Sequence, residues 1–155
     1  MILGPGIVAP DFALPNQFGQ TVRLGDFCGI RAVTLVFFPL AFSRTCEGEL
    51  CELRDNIEIF ADSGSELIAV SVDSKHALRA WAEEQRYEFT LLADFWPHGA
   101  VAKAYGVFND DAGFANRGTF LVDVDGIVRF SEMNGPGEGR DPQAWREAIK
   151  ELRAR

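Results

Sequence analysis

Nowhere in the 155 residues does an apolar run approach the roughly 20 residues that a membrane-spanning helix needs. The opening segment MILGPGIVAPDFALP has neither the basic region nor the apolar stretch of an export signal, so the sequence reads as that of a cytoplasmic protein. Cysteine is scarce. Three residues, Cys28, Cys46 and Cys51, odd in number and irregular in spacing, exclude the disulfide framework of a small secreted domain. The Cys-x-x-Cys pair of a dithiol reductase is absent. Two scattered histidines and separated cysteines do not make a metal-ligand set. Positive charge is also short: 15 Lys and Arg face 23 Asp and Glu, a net charge of −8, which leaves no electrostatic footprint for nucleic acid or for an anionic membrane surface. Repeats, low-complexity tracts and Ser/Gly linkers are missing too, so the reading is one domain over residues 1–155.

What remains is the composition of a globular domain, 47% hydrophobic and 25% charged. Val33–Phe38 and Leu67–Val72 are continuous apolar runs of strand length, rich in β-branched and aromatic residues, as expected of strands buried on both faces. Between them Cys46, Leu50, Leu53, Ile57 and Phe60 recur at helical spacing, with Glu47, Glu49, Glu52, Asp55 and Glu58 on the polar side. Strand, helix, strand implies a right-handed parallel crossover. Ser74 can cap a second helix that turns Leu78, Trp81 and Ala82 inward and ends at Arg86. A short helix is expected from Pro97 through Ala100, Val101 and Ala104. Thr119–Asp123 and Ile127–Phe130 flank Val124-Asp125-Gly126, a hairpin signal. Asp141-Pro142 then opens a C-terminal helix with Trp145, Ala148, Ile149 and Leu152 inward. The order βαβα, ββ hairpin, α is that of an α/β, thioredoxin-like sandwich: a central mixed β-sheet flanked by helices, with an N-terminal extension that includes Thr21 to Leu24.

Cys46 follows the first core strand and the short loop PLAFSRT, at the first turn of its helix. Free backbone N–H groups and the positive end of the helix dipole favour thiolate there, and Arg44 adds positive charge. Cysteine is also one of the most buried residue types, and Cys46 fits the apolar stripe of its helix. Position alone leaves a reactive thiol and a packing residue both open.

The residues around it carry a resemblance. Pro39-Leu-Ala-Phe-Ser43-Arg-Thr-Cys46 is similar to the Pro-x-x-x-Thr/Ser-x-x-Cys signature of peroxiredoxins, and Asn116-Arg117-Gly118-Thr119-Phe120 matches the distant arginine element of that family. APDF at Ala9–Phe12, VFFPLAF at Val36–Phe42, DFWPHGAVAKAYGVFN at Asp94–Asn109 and NRGTFLVD at Asn116–Asp123 extend the likeness over most of the chain, in the pattern of the AhpE group. The resemblance implies a thiol-dependent peroxidase that reduces hydrogen peroxide, organic hydroperoxides and peroxynitrite through a Cys46 sulfenic acid, in antioxidant defence and redox homeostasis. It assigns Cys46 as nucleophile, Arg117 to hold the thiolate and the peroxide oxygens, Ser43 to orient the substrate and Pro39 to shield the sulfur. It implies no metal, flavin or haem. The spacing also makes chemical sense, because a hydroxyl three residues before the sulfur can donate to one peroxide oxygen and accept from the other.

Two features depart from the AhpE pattern. Ser43 stands where most of the family has Thr, so the methyl that limits the hydroxyl's rotamers is absent. Cys51 follows Cys46 by five residues, the resolving spacing of the bacterioferritin-comigratory, or Q-type, group. Five residues of helix give about 7.5 Å of rise and a turn of about 140°, so the Cα atoms stand roughly 8–9 Å apart, beyond the about 7 Å reach of a disulfide. A Cys46–Cys51 bond therefore needs the first helical turn to unwind, and Gly48 lowers that cost by about 1 kcal/mol relative to Ala. The expected cycle closes through Cys51 and a thioredoxin-like reductant, or through a small thiol and a glutaredoxin-like partner such as mycoredoxin. Cys28 reads as a packing residue, His98 as an interface or helix-start residue, and His76 as a solvated first-turn residue. Phe42, Phe95, Trp96 and Phe108 are more apolar loop residues than a monomer surface comfortably exposes, and the resemblance implies a homodimer through these loops. The competing class is a peroxide sensor or relay that passes the oxidation of Cys46 to a partner protein.

Overall fold

The run Ala32–Phe37 alternates between two hydrophobic cores, which is why it lacks any polar face. Val33, Leu35 and Phe37 point into one core, while Val36 and the following Phe38 point into the other. In this computed structural model the described residues are 1–55, 64–135, 146–147 and 149–150, without the side chains of 44–47. Ala13–Pro15 (β1) and Thr21–Arg23 (β2) pair as the N-terminal hairpin. The central sheet is built from Ala32–Phe37 (β3), Ser65–Ser71 (β4), Thr90–Ala93 (β5), Arg117–Val122 (β8) and Val128–Asn134 (β9), in the order β5-β4-β3-β8-β9. β3 pairs with β4, and β4 with β5, in parallel; β3 with β8, and β8 with β9, run antiparallel. Phe108–Asn109 (β6) and Phe114–Ala115 (β7) form a small hairpin beside it.

Helix Arg44–Asp55 (α1) makes the parallel β3–β4 crossover anticipated from the sequence, and lays Leu50 and Leu53 on the sheet. Ile57 and Phe60, expected on the same stripe, lie outside the described residues. Helix Lys75–Gln85 (α2) begins where Ser74 accepts the N–H of Ala77 at 3.2 Å, ends at Arg86 in the left-handed conformation, and buries Leu78, Trp81 and Ala82 in the same core. Helix Ala100–Ala104 (α3) covers the opposite face with Ala102, beside Tyr105 and Val107. Residues 146–147 and 149–150 are helical and Ile149 is buried beside α1 and α2, while Asp141–Trp145, Ala148 and Leu152 lie outside the described residues. The architecture is thus an α/β sandwich with a mixed central sheet flanked by helices. Among the described residues no helix is long and apolar enough to cross a membrane.

Four expectations change. The short helix starts at Ala100, not Pro97: Gly99 stands at the N-cap, and the Asp94 carboxylate accepts the N–H groups of Val101 and Ala102 at 3.1 and 2.9 Å. Strand β5, which no pattern announced, inserts between the second helix and that loop. Its four residues are too few for a period, and Leu91 and Leu92 enter opposite cores. Cys28 is exposed rather than packed, in a turn after the 3-10 segment Leu24–Asp26 where Phe27 supplies the apolar contact. Phe108 is half-buried, with the Lys103 ammonium 4.8 Å from its ring centroid, whereas Phe42, Phe95 and Trp96 are exposed as expected.

Candidate active site

Pro39 and Ser43 lie on the loop that joins β3 to α1. Pro39 is buried, directly after the end of the central strand. The loop is tied back to β4 by the Asp73 carboxylate, which accepts the N–H of Ala41 and the hydroxyl of Ser71, each at 2.7 Å. Phe42 takes a left-handed conformation with φ +66° although it carries a bulky side chain, a strain of order 1–3 kcal/mol that such loops hold only when their surroundings impose it. Its ring meets Trp81 of α2 at 6.1 Å between centroids.

Ser43 immediately precedes α1, a position where serine usually caps the helix with its hydroxyl. Here Ser43 Oγ is buried with no hydrogen-bond partner among the described residues. A buried hydroxyl without a partner is costly and marks a place where a ligand atom can complete the bonding. Cys46 is the third residue of α1, within its first turn, as the sequence indicated; its side chain is outside the described set.

Arg117 arrives on β8, the strand paired with β3. β3 and β8 pair Val36 with Thr119, and continuing that antiparallel register by two residues puts Arg117 opposite Phe38, next to Pro39. Its side chain is only 2% exposed, and Nη1 donates to Glu49 Oε1 at 2.6 Å. Glu49 is one helical turn beyond Cys46, and residues so spaced share a face. The ion pair therefore draws a buried guanidinium against the first turns of α1, the end where the helix dipole is positive. A fixed cation beside a dipole-positive helix end favours an anion, whether thiolate or developing oxyanion.

The helical pattern puts Glu49 on the polar side of its helix; the structure leaves its side chain 14% exposed and paired. Asp73 was likewise unseen. No local pattern marks either residue, because each is chosen by a partner far away in the chain. Cys51 is half-buried on the same helix, packed against the α1–α2 core, with its thiol 3.4 Å from Gln85 Oε1 and 3.3 Å from Tyr87 Oη. His76 is exposed in the first turn of α2, as read. His98 Nε2 lies 2.6 Å from the carbonyl of Gly113 and joins its loop to the β6–β7 hairpin. Burial raises the pKa of Asp94 above the usual carboxylate range against the opposing N–H bonds from Ala102 and Val101, which is consistent with a structural cap of α3.

Residues 5–131 match the AhpC/TSA family model. Alkyl hydroperoxide reductase E of Mycobacterium tuberculosis is 50% identical over 153 residues, spanning 99% of this chain and all of that protein. Among solved structures, the reduced 2-Cys peroxiredoxin of Plasmodium vivax superposes with a TM-score of 0.88 at 28% identity, covering 98% of this chain and 83% of the other. Peroxidoxin BcpB of Mycobacterium tuberculosis gives 0.83 at 30% identity, covering 98% and 97%.

Proposed function

Since the chain belongs to the AhpC/TSA family of peroxiredoxins, we propose that Cys46 is the nucleophile of a thiol-dependent peroxidase in which Arg117, Ser43 and Pro39 complete the site. Thiol-dependent reduction of peroxides is the activity its relatives support. The Cys46 thiolate attacks the terminal oxygen of ROOH, the O–O bond breaks, and the departing RO⁻ takes up a proton as ROH, leaving Cys46 as the sulfenic acid. Arg117 stabilises the thiolate and then the negative charge on the separating oxygens. The Ser43 hydroxyl donates to one of them, and Pro39, which has no N–H, keeps water from the sulfur. The observation that carries this reading is the buried Arg117 guanidinium held on α1 by Glu49.

Cys51 is assigned to resolve the sulfenic acid, with a thioredoxin-like reductant to reopen the disulfide; the other route is an external thiol with a glutaredoxin- or mycoredoxin-like partner. A homodimer through the loops bearing Phe42, Phe95 and Trp96, 48%, 54% and 78% exposed, is supported by that apolar surface and by how common dimers are among peroxiredoxins. The chain is read as one cytoplasmic domain, and the two hydrophobic cores that share one sheet support the single domain. No described feature favours the relay reading over turnover.

The test is peroxide consumption with a thiol reductant, together with intact mass and non-reducing peptide mapping after one equivalent of hydrogen peroxide. Wild type turns over and Cys46→Ser does not. A loss of two mass units mapped to Cys46 and Cys51 supports resolution by Cys51. A gain of sixteen confined to Cys46, identical in Cys51→Ser, assigns that step to an external thiol. Turnover by Cys46→Ser at the wild-type rate refutes the assignment of the nucleophile.

A further inference from the structure

Resting on the assignment of Cys51 as the resolving thiol, we infer that Gln85 and Tyr87 are positioning residues for the second step, forming a fixed seat on which Cys51 waits while the Cys46 end of α1 moves to it. Both cysteines belong to one helix, so one end of that helix has to give way before their sulfurs can meet. The end that carries Cys51 is held by several contacts. Leu50 and Leu53 are 0% and 7% exposed in the core, and the Cys51 thiol donates to Gln85 Oε1 at 3.4 Å with Tyr87 Oη at 3.3 Å. Arg54, one turn later, donates to the Gln85 carbonyl at 2.6 Å and lies over the Tyr87 ring at 6.0 Å. Tyr87 is itself wedged by an edge contact with Trp81 and a stack with Phe89, each at 5.1 Å. The part of α1 from Leu50 onward is therefore anchored at several points to α2 and to the segment that follows it.

Toward Cys46 the helix carries the exposed Gly48, where a β-carbon would meet no heavy atom within 4 Å among the described residues. The next residue, Glu49, is already clamped by Arg117. Gly48, a poor residue for a helix interior, favours unwinding between the two cysteines, and Glu49 is a described tie that such unwinding reaches. The seat then presents a stationary thiol. The Cys51 S–H proton leaves with the sulfenic hydroxide as water, the Cys46 S–O bond breaks and the S–S bond forms, with no further oxidant. Gln85 Oε1 orients the thiol by accepting its hydrogen, and the Tyr87 hydroxyl fixes the sulfur from the other side.

The seat is tested in Tyr87→Phe, which keeps the packed ring and removes only the hydroxyl, and in Gln85→Ala. Rapid mixing with peroxide, read by quench and mass spectrometry, separates Cys46 oxidation from disulfide formation. The partition of Cys46 between disulfide and sulfinic acid, followed over rising peroxide, compares resolution with overoxidation within each folded molecule. Each variant is expected to oxidise Cys46 within about twofold of wild type, and to form the disulfide about three- to tenfold more slowly, the scale of one lost hydrogen bond. The peroxide needed for half-conversion to sulfinic acid falls by the same factor. Disulfide formation in wild type with an unchanged partition in both variants overturns the seat and leaves Cys51 as the resolving residue. Absence of a Cys46–Cys51 disulfide in wild type overturns both.

Discussion

Replacing Glu49 by Gln removes the charge that holds Arg117 while keeping the side chain's volume and one acceptor oxygen. At the 2.6 Å separation of Arg117 Nη1 and Glu49 Oε1, an effective dielectric of about 20 gives a Coulomb attraction of about 6 kcal/mol. Part of this offsets the loss of hydration, and removing one partner of a buried pair costs about 3–5 kcal/mol in practice. Glu49 keeps 14% of its side-chain exposure and Gln can still accept, so the expected destabilisation of Glu49→Gln is about 2–3 kcal/mol at pH 7. For a chain of this size that is about 5–10 °C in melting temperature. Urea unfolding with linear extrapolation measures it, in 0.1 M and again in 1 M salt. A solvated ion pair would lose most of its value over that range, whereas a pair with a 2%-exposed guanidinium should keep its penalty within about 0.5 kcal/mol. The variant should also react more slowly with peroxide, because the guanidinium is no longer drawn onto α1. A penalty below about 0.5 kcal/mol, or one abolished by 1 M salt, would show that Arg117 is not held by Glu49 and that the account of the site's electrostatics is wrong.

Ser43→Ala should behave in the opposite sense for stability: deleting a buried hydroxyl that has no partner among the described residues is expected to be neutral or stabilising by up to about 1 kcal/mol, while the peroxide reaction slows by about 10²-fold, and stopped-flow kinetics beside urea unfolding reads both. Burial opposes ionisation of Asp123, but the N–H of Ile127, the Arg129 side chain and the N–H of Asp125 outweigh it and hold its pKa below the ordinary carboxylate range. A lowered folded pKa contributes stability that is present above the unfolded value of about 3.9 and lost as pH falls through the folded one. Asp123→Asn should therefore cost about 1 kcal/mol at pH 7, and the gap to wild type should close as the pH falls below the unfolded value of about 3.9 and through the lower folded one, as unfolding curves at each pH would record. Gly118→Ala places a β-carbon 2.7 Å from Val107 Cγ1 in a fully buried contact, and a loss of about 1–3 kcal/mol is expected by the same unfolding assay.

Much of this architecture was legible because its causes are local. Unbroken β-branched and aromatic runs at Val33–Phe38 and Leu67–Val72 have no polar face to offer water, and each became an interior strand within a residue or two of its expected ends. Ser74 and Arg86 bounded their helix because a cap is a bond between near neighbours. The spacing of Pro39, Ser43 and Cys46 around one strand–loop–helix junction could be read directly, as could the resemblance that singled out Arg117. Strand β5 is shorter than any period that would announce it, so only its two-sided burial reveals it.

The sequence by itself determined the long central strands and the two long helices, and it brought Ser43 and Cys46 to the start of α1, since period and capping act within a few residues. The tertiary structure alone decided that Glu49 is an inward ion-pair partner, that Arg117 stands opposite Phe38, that Cys28 faces solvent, and that Cys51 rests between Gln85 and Tyr87. Each of these depends on the register between strands and on the packing of α1 beside α2. Such contacts join residues tens of positions apart, and a single chain carries no local signal of which distant group will meet a carboxylate or a thiol.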